Sequence, residues 1–241
     1  MKTVFFASAA AAALIAAPAV AQETVGSVGV AYNYADAEGI ESNGATIDGI
    51  VATPVFGDWT VTFKGAASYV DTDFAGEDTA LEGQVFLTKK FDTVRVGGLI
   101  GSSDVAGATM TEIGGVAQKY FQQATLTGAV SYGNVNNLFG AADADVWNVQ
   151  AEAAYYAMPA LRLAAGVGYN NADMLGDDME AWTAKVGAEY QVAQSPYSVF
   201  ASYTYTDADF GIETDGFNIG VRYNFGGGLQ ARDQAGAGFG L

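Results

Sequence analysis

The stretch Gly216-Phe217-Asn218-Ile219-Gly220-Val221-Arg222-Tyr223-Asn224-Phe225 alternates apolar and polar residues without a break. A period of two puts Phe217, Ile219, Val221, Tyr223 and Phe225 on one face of a strand and Asn218, Gly220, Arg222 and Asn224 on the other. The same alternation recurs upstream. Trp59, Val61, Phe63, Ala67 and Tyr69 oppose Thr60, Thr62, Lys64 and Ser68. Leu161, Leu163, Ala165, Val167 and Tyr169 oppose Arg162, Gly166, Gly168 and Asn170, and Trp182, Ala184, Val186, Ala188, Tyr190 and Val192 oppose Thr183, Lys185, Glu189 and Gln191. No long segment prefers the i, i+3, i+4 spacing of a helix.

Carried along the chain, this pattern predicts strands over 24–34, 44–55, 58–70, 79–91, 93–102, 108–119, 122–134, 145–157, 160–170, 180–192, 196–206 and 214–225. The expected count is about 12, within 10–14, and a strand of about 11 to 13 residues matches a tilted bilayer crossing. The joins sort into two classes. Asp36–Asn43, Asp71–Asp78, Ser103–Gly107, Val135–Ala144, Asn171–Met179 and Asp207–Glu213 read as long polar loops. Phe56-Gly57, Asp92, Tyr120-Phe121, Met158-Pro159 and Ala193-Gln194-Ser195 read as tight turns. Pro54, Pro159 and Pro196 stand beside the tight joins, where a missing ladder donor matters least. Long loops at one end and short turns at the other is the arrangement of an antiparallel transmembrane β-barrel, with the loops extracellular and the turns periplasmic.

Composition narrows the chemistry. The 241 residues hold 31 glycines, no cysteine and no histidine, and half are hydrophobic. The chain is too apolar for disorder. Without cysteine there is neither a disulfide framework nor thiolate ligation, and without histidine no Ser-His-Asp triad or His-ligated zinc. Lys64 and Ser68 share a strand face, but their separation of about 13 Å along a strand keeps them apart. No enzyme activity, cofactor or metal site is therefore expected. The net charge of −17 argues against nucleic-acid binding, which needs a basic footprint.

Residues 1–21 read as a signal peptide: Lys2 begins it, Val4 to Ala17 form the apolar stretch, and Ala19-Val20-Ala21 precede the cut before Gln22. Residues 22–225 form the expected barrel, and the glycine-rich tail 226–241 is expected to be disordered in the periplasm.

Charge placement decides which face meets lipid. Lys64, Arg95, Arg162, Lys185 and Arg222 all fall on the polar parity, with Glu82, Glu152 and Glu189, and Asp48 and Glu112 follow them. A basic residue facing lipid at the midplane would cost about 2–4 kcal/mol, so this parity lines a lumen. Aromatic residues gather near both strand ends, as at the two membrane interfaces: Tyr32, Tyr34, Tyr69, Tyr132, Trp147, Tyr169, Trp182 and Phe217 at one, Trp59, Phe91, Tyr155, Tyr190, Tyr197, Tyr223 and Phe225 at the other. Along the bore, Asp48, Glu82 and Glu112 fall toward the long-loop end and Arg95, Arg162 and Arg222 toward the short-turn end, a charge gradient.

The alanine-rich leader, the last strand ending at Phe225, the Gly226-Gly227-Gly228 break and the tail Leu229-Gln230-Ala231-Arg232-Asp233 together resemble the porin-like outer-membrane β-barrels of Gram-negative bacteria, of alphaproteobacterial type. The resemblance implies location in the cell outer membrane, contact with its lipid and lipopolysaccharide, and recognition of the last strand by the barrel-assembly machinery. Phe225 takes the place of the final aromatic, with 16 residues following it.

The expected function is a narrow, non-catalytic channel for small hydrophilic solutes or ions, lined by Lys64, Glu82, Arg95, Glu152, Arg162, Lys185, Glu189 and Arg222. A monomer is favoured, with a trimer as the alternative. A closed structural barrel acting through its acidic loops, and a soluble periplasmic barrel with a bound ligand, are the rival readings. The loop carboxylates lack EF-hand spacing and read as a solvated acidic rim that attracts cations.

Overall fold

A computed structural model describes residues 24–73, 76–105, 107–138, 142–174 and 177–239. The signal-peptide segment 1–21 lies outside the described residues. Twelve strands run in order: β1 (Val25–Ala37), β2 (Ile40–Phe56), β3 (Trp59–Thr72), β4 (Gly76–Phe91), β5 (Val94–Val105), β6 (Ala108–Tyr120), β7 (Ala124–Leu138), β8 (Ala142–Met158), β9 (Leu161–Met174), β10 (Asp177–Gln191), β11 (Tyr197–Ala208) and β12 (Ile212–Phe225). Each pairs antiparallel with its sequence neighbours, and β12 pairs β1 from Gly26↔Phe225 to Ala37↔Thr214, closing the barrel. Closure leaves no free sheet edge.

The alternating stretch of residues 216–225 forms the heart of β12, and every other expected strand is present as well. At the short-turn end the expected bounds agree within two residues, because proline, positive-φ residues and glycine end the ladders there. At the other end the strands run as many as four residues further, which corrects the expectation of long irregular loops. The polar segments are hairpin arms. Between β1 and β2 only residues 38–39 turn the chain, with Glu38 at φ 52° and Gly39 at φ 87°. Two left-handed residues are what a type I′ hairpin turn needs, so pairing continues through Asp36↔Glu41 and Ala37↔Ile40.

The two faces separate as the period of two requires. Outward positions include Ile47, Ile100, Ile113, Val167, Val186, Ile219 and Val221, all well exposed and none charged. Ring pairs sit at both ends of this apolar belt. Tyr132 and Trp147 (centroids 5.1 Å apart) and Tyr169 and Trp182 (4.7 Å) lie near the polar hairpin arms. Phe56 with Trp59 and Tyr197 with Tyr223 lie near the short turns. Each outward pair joins directly opposed or adjacent positions, as Tyr132↔Trp147 and Trp182↔Tyr169 show.

The buried core lies inside the barrel at its short-turn end, and the tail forms much of it. After Phe225 the chain turns back through Gly226 and Gly227, at φ 80° and 140°. A Cβ at Gly226 would lie 2.6 Å from the Thr24 carbonyl oxygen, so this reversal requires glycine. Helix α1 (Leu229–Arg232) and a π-helical turn (Asp233–Ala237) follow, within the barrel. The expectation of a disordered, free tail is therefore corrected for residues 226–239. Its physical cause is apolar: Phe239 stacks on Phe86 at 4.6 Å with rings 9° apart, beside Leu99 and Val116, and Leu229 packs on Ala154 and Tyr156. Burying these side chains contributes about 1.5–3 kcal/mol each, which a free tail would forgo.

Candidate functional site

The lumen between the hairpin arms and the tail is charged. Its walls are made by residues of β1–β3 and β8–β12, where small residues alternate with long charged ones. The resulting cavity has a volume of about 290 Å³ and is lined by Asp48, Lys64, Glu152, Arg162, Lys185, Glu189 and Arg222 among others. Glycine and alanine at Gly166, Gly187 and Ala66 leave the space that these side chains reach across.

Ion pairs organise the cavity wall. Arg222 reaches Asp48 Oδ2 through Nη2 (3.0 Å) and Glu189 Oε2 through Nη1 (3.2 Å). Its guanidinium carbon also lies 4.3 Å from the centroid of the Phe200 ring, a cation–π contact. Ser198 Oγ donates to Glu189 Oε1 at 2.6 Å, and Asn224 Nδ2 donates to Ser198 Oγ at 3.0 Å. Arg162 pairs with Glu152, and Lys64 Nζ lies 3.4 Å from Glu82 Oε1. Lys185 lines the same cavity and makes no ion pair among the described residues. Its ammonium is the cation least compensated by direct contact.

The tail forms the floor. Arg232 joins the network from below, with Nη2 at 3.7 Å from Glu189 Oε1 and Nη1 donating to the Gly26 carbonyl at 3.3 Å. Asp233 accepts from the Tyr156 hydroxyl at 2.6 Å and from Gln118 Nε2 at 3.5 Å. Burial pushes the Asp233 carboxyl above its ordinary range, against the lowering influence of Thr125, Tyr156 and Arg162. Tail carbonyls are bonded too. Thr62 Oγ1 donates to Gly236 O (2.9 Å), while Arg95 Nη2 (3.2 Å) and Lys90 Nζ (3.4 Å) both donate to Gln234 O.

All eight charged residues expected to line a pore face inward. Six of them, Lys64, Glu152, Arg162, Lys185, Glu189 and Arg222, meet around the one cavity, and Glu82 adjoins it through Lys64. Arg95 does not share that space. It is only 2% exposed, held by Tyr120 Oη and Thr88 Oγ1 under the tail. The expected gradient of acids to one end and bases to the other is corrected for Asp48 and Arg222, while Glu82 and Glu112 stay toward the hairpin arms and Arg95 toward the short turns. Register places Asp48 opposite Gly29 and Gly29 opposite Arg222, so acid and base stand level and pair.

Arg232, Asp233, Phe239, Lys90 and Gln118 are the site residues that sequence reasoning missed. A signal for them exists. Phe86, Leu99 and Val116 are large apolar residues on the lumen parity of three adjacent strands, and Phe86 stands directly opposite Leu99. An apolar patch on the polar face needs an occupant. Among the described residues, no group of three acidic side chains is gathered to hold a metal ion.

No family model and no curated protein matches this chain. Solved structures do. The COG4313 outer membrane channel from Pseudomonas putida F1 aligns at 14% identity and a TM-score of 0.66, over 84% of this chain and 95% of that one. The NanC porin aligns at 11% identity and a TM-score of 0.62, over 82% of this chain and 100% of that one. The translocator domain of the autotransporter NalP from Neisseria meningitidis gives 11% identity and a TM-score of 0.55, over 91% and 94%. These likenesses carry no sign of an alphaproteobacterial origin. The chain has the fold of an outer-membrane β-barrel, closed by twelve antiparallel strands.

Proposed function

We propose that the protein is a channel of the cell outer membrane, passing small hydrophilic solutes or ions without catalysis. The observation that carries this reading is the pairing of an uncharged, exposed apolar belt outside with a charged cavity of about 290 Å³ inside the same closed wall. An outward apolar face stabilises a barrel in lipid, whereas water would leave it unsatisfied. Small residues among fixed charges leave room for hydrated solutes and select among them. The outer-membrane channel and porin folds among its structural likenesses support the same reading.

In this account the hairpin arms face outward from the cell and the short turns face the periplasm. The barrel meets lipid and lipopolysaccharide, β12 presents Phe225 to the assembly machinery, and one chain suffices for a pore. Single-channel recording of the refolded protein in a planar bilayer under a salt gradient tests the reading. Discrete current steps with a resolvable ion preference are expected. Inserted barrels that pass no current even when the C-terminal segment is removed would remove it.

The tail inside the bore favours a second reading. A barrel closed at its short-turn end would act through its acidic hairpin tips alone. The two readings part on whether the closure can be undone.

A further inference from the structure

We infer that the C-terminal segment Leu229–Phe239 is a removable plug, which the chain carries to close its own pore at the short-turn end. The inference rests on the channel reading above. Three observations support it.

First, the segment spans the bore. Its bonds reach Gly26 on β1, Thr62 on β3, Lys90 on β4, Arg95 on β5, Gln118 on β6, Tyr156 on β8 and Glu189 on β10, and Gln230 Nε2 donates to the Gln122 carbonyl in the β6–β7 turn. Strands β3–β5 and β8–β10 are opposite walls of a twelve-strand ring. A segment bonded to both crosses the passage, and it forms the floor of the charged cavity through Arg232, Asp233 and Phe239.

Second, the wall is complete without it. Every strand has two neighbours and the ring closes at β1–β12, so no ladder bond is contributed by the tail. The tail is held instead by side chains of the wall that bond its carbonyls, by two apolar anchors at Leu229 and Phe239, and by the Arg232–Glu189 pair. Such contacts can be exchanged for water without opening the sheet.

Third, the connection is built to pivot. Gly226 and Gly227, both at positive φ, link the last strand to the segment, and glycine reaches alternative backbone conformations more readily than any other residue. The occupant of the lumen patch at Phe86, Leu99 and Val116 is thus the chain's own Phe239, tethered 14 residues beyond Phe225 at the end of the last strand.

Three preparations in planar bilayers test the plug: the full mature chain, a chain ending at Gly228, and the full chain carrying Leu229→Asp and Phe239→Asp. The last leaves all twelve strands unaltered and guards against a misfolded truncation. Both altered barrels are expected to conduct several-fold more than the full chain. A synthetic peptide of residues 229–241 should block the shortened barrel when added from one side only. The pair Ala154→Cys and Leu229→Cys, whose native side chains pack together, should hold the barrel at its low conductance when oxidised and free it on reduction. Equal conductance in the full chain and both altered barrels would overturn the plug and leave the channel standing. Silence in all three, with insertion verified by protease protection of the strands, would overturn the channel and the plug with it.

Discussion

Arg222 and Lys185 illustrate how much a charge's neighbours decide what its replacement does. Arg222 is committed to Asp48, Glu189 and the Phe200 ring, so Arg222→Glu would bring three carboxylates together. We expect it to destabilise the barrel by about 3 kcal/mol, the order found when one partner of a largely buried pair is lost, as read by urea unfolding in lipid vesicles. Lys185 makes no such pair, so Lys185→Glu should leave stability nearly unchanged and move the reversal potential toward cations. An unmoved reversal potential would take Lys185 out of the conducting path. Asp233 adds a pH dependence. Docked, its carboxyl is raised by burial, with the Tyr156 hydroxyl bonded to it and Arg162 and Glu152 nearby; released, it returns to its ordinary value. The docked form therefore holds the proton more tightly. Acid strengthens docking fully below the ordinary carboxylate value, and that gain is lost as pH rises through the raised one. Open time should thus fall as pH falls, and Asp233→Asn should flatten that dependence while keeping the barrel closed at neutral pH. A profile unchanged by Asp233→Asn would assign it elsewhere.

Strand β12 carries the clearest period in the chain, and its outward and inward sets are those the alternation predicts. That legibility has a physical origin. A barrel wall is one residue thick, so each residue answers to either the outside or the lumen and the period of two survives undiluted. The hairpin tips were less legible, because Asp, Glu, Asn and Gly read as loop whether or not they pair. Glu38 in a left-handed conformation is what lets the β1–β2 ladder run to its tip, and nothing in its side chain announces it. The tail was least legible. Its glycines suggested disorder, while the apolar patch that receives Phe239 is spread over β4, β5 and β6 and assembles only in the closed ring. The placement of the eight lumen charges was readable from parity, but their pairing depended on register, which parity does not give. For β12 itself, Val221→Arg puts a charge in the middle of the outward belt, where Val221 is 51% exposed. A cost of about 2–4 kcal/mol is expected in vesicle refolding, and no cost would mean that this face does not meet lipid.

Taken together, the twelve strands make a wall with an apolar outside, a charged cavity within, and a floor supplied by the chain's own C-terminus. On the channel reading, the acidic hairpin tips would concentrate cations at the open end at low salt, and the paired lumen charges would discriminate locally within the cavity. The barrel and the plug answer to different forces. Closed ladders and the outward belt hold the first, whereas two apolar anchors and a few polar bonds hold the second, so closing can respond to conditions that leave the barrel intact. Because the chain has no cysteine, its water-filled path can be mapped with single thiols on one strand. Ser202 on β11 lines the cavity, whereas Val199 on the same strand points outward. The decisive measurement is the reaction of a charged, membrane-impermeant thiol reagent with Ser202→Cys and Val199→Cys in bilayers, read together as labelling rate and current. The account predicts fast labelling and reduced current for Ser202→Cys, with neither for Val199→Cys. Equal labelling at the two positions, or full labelling of Ser202→Cys with the current unchanged, would contradict it.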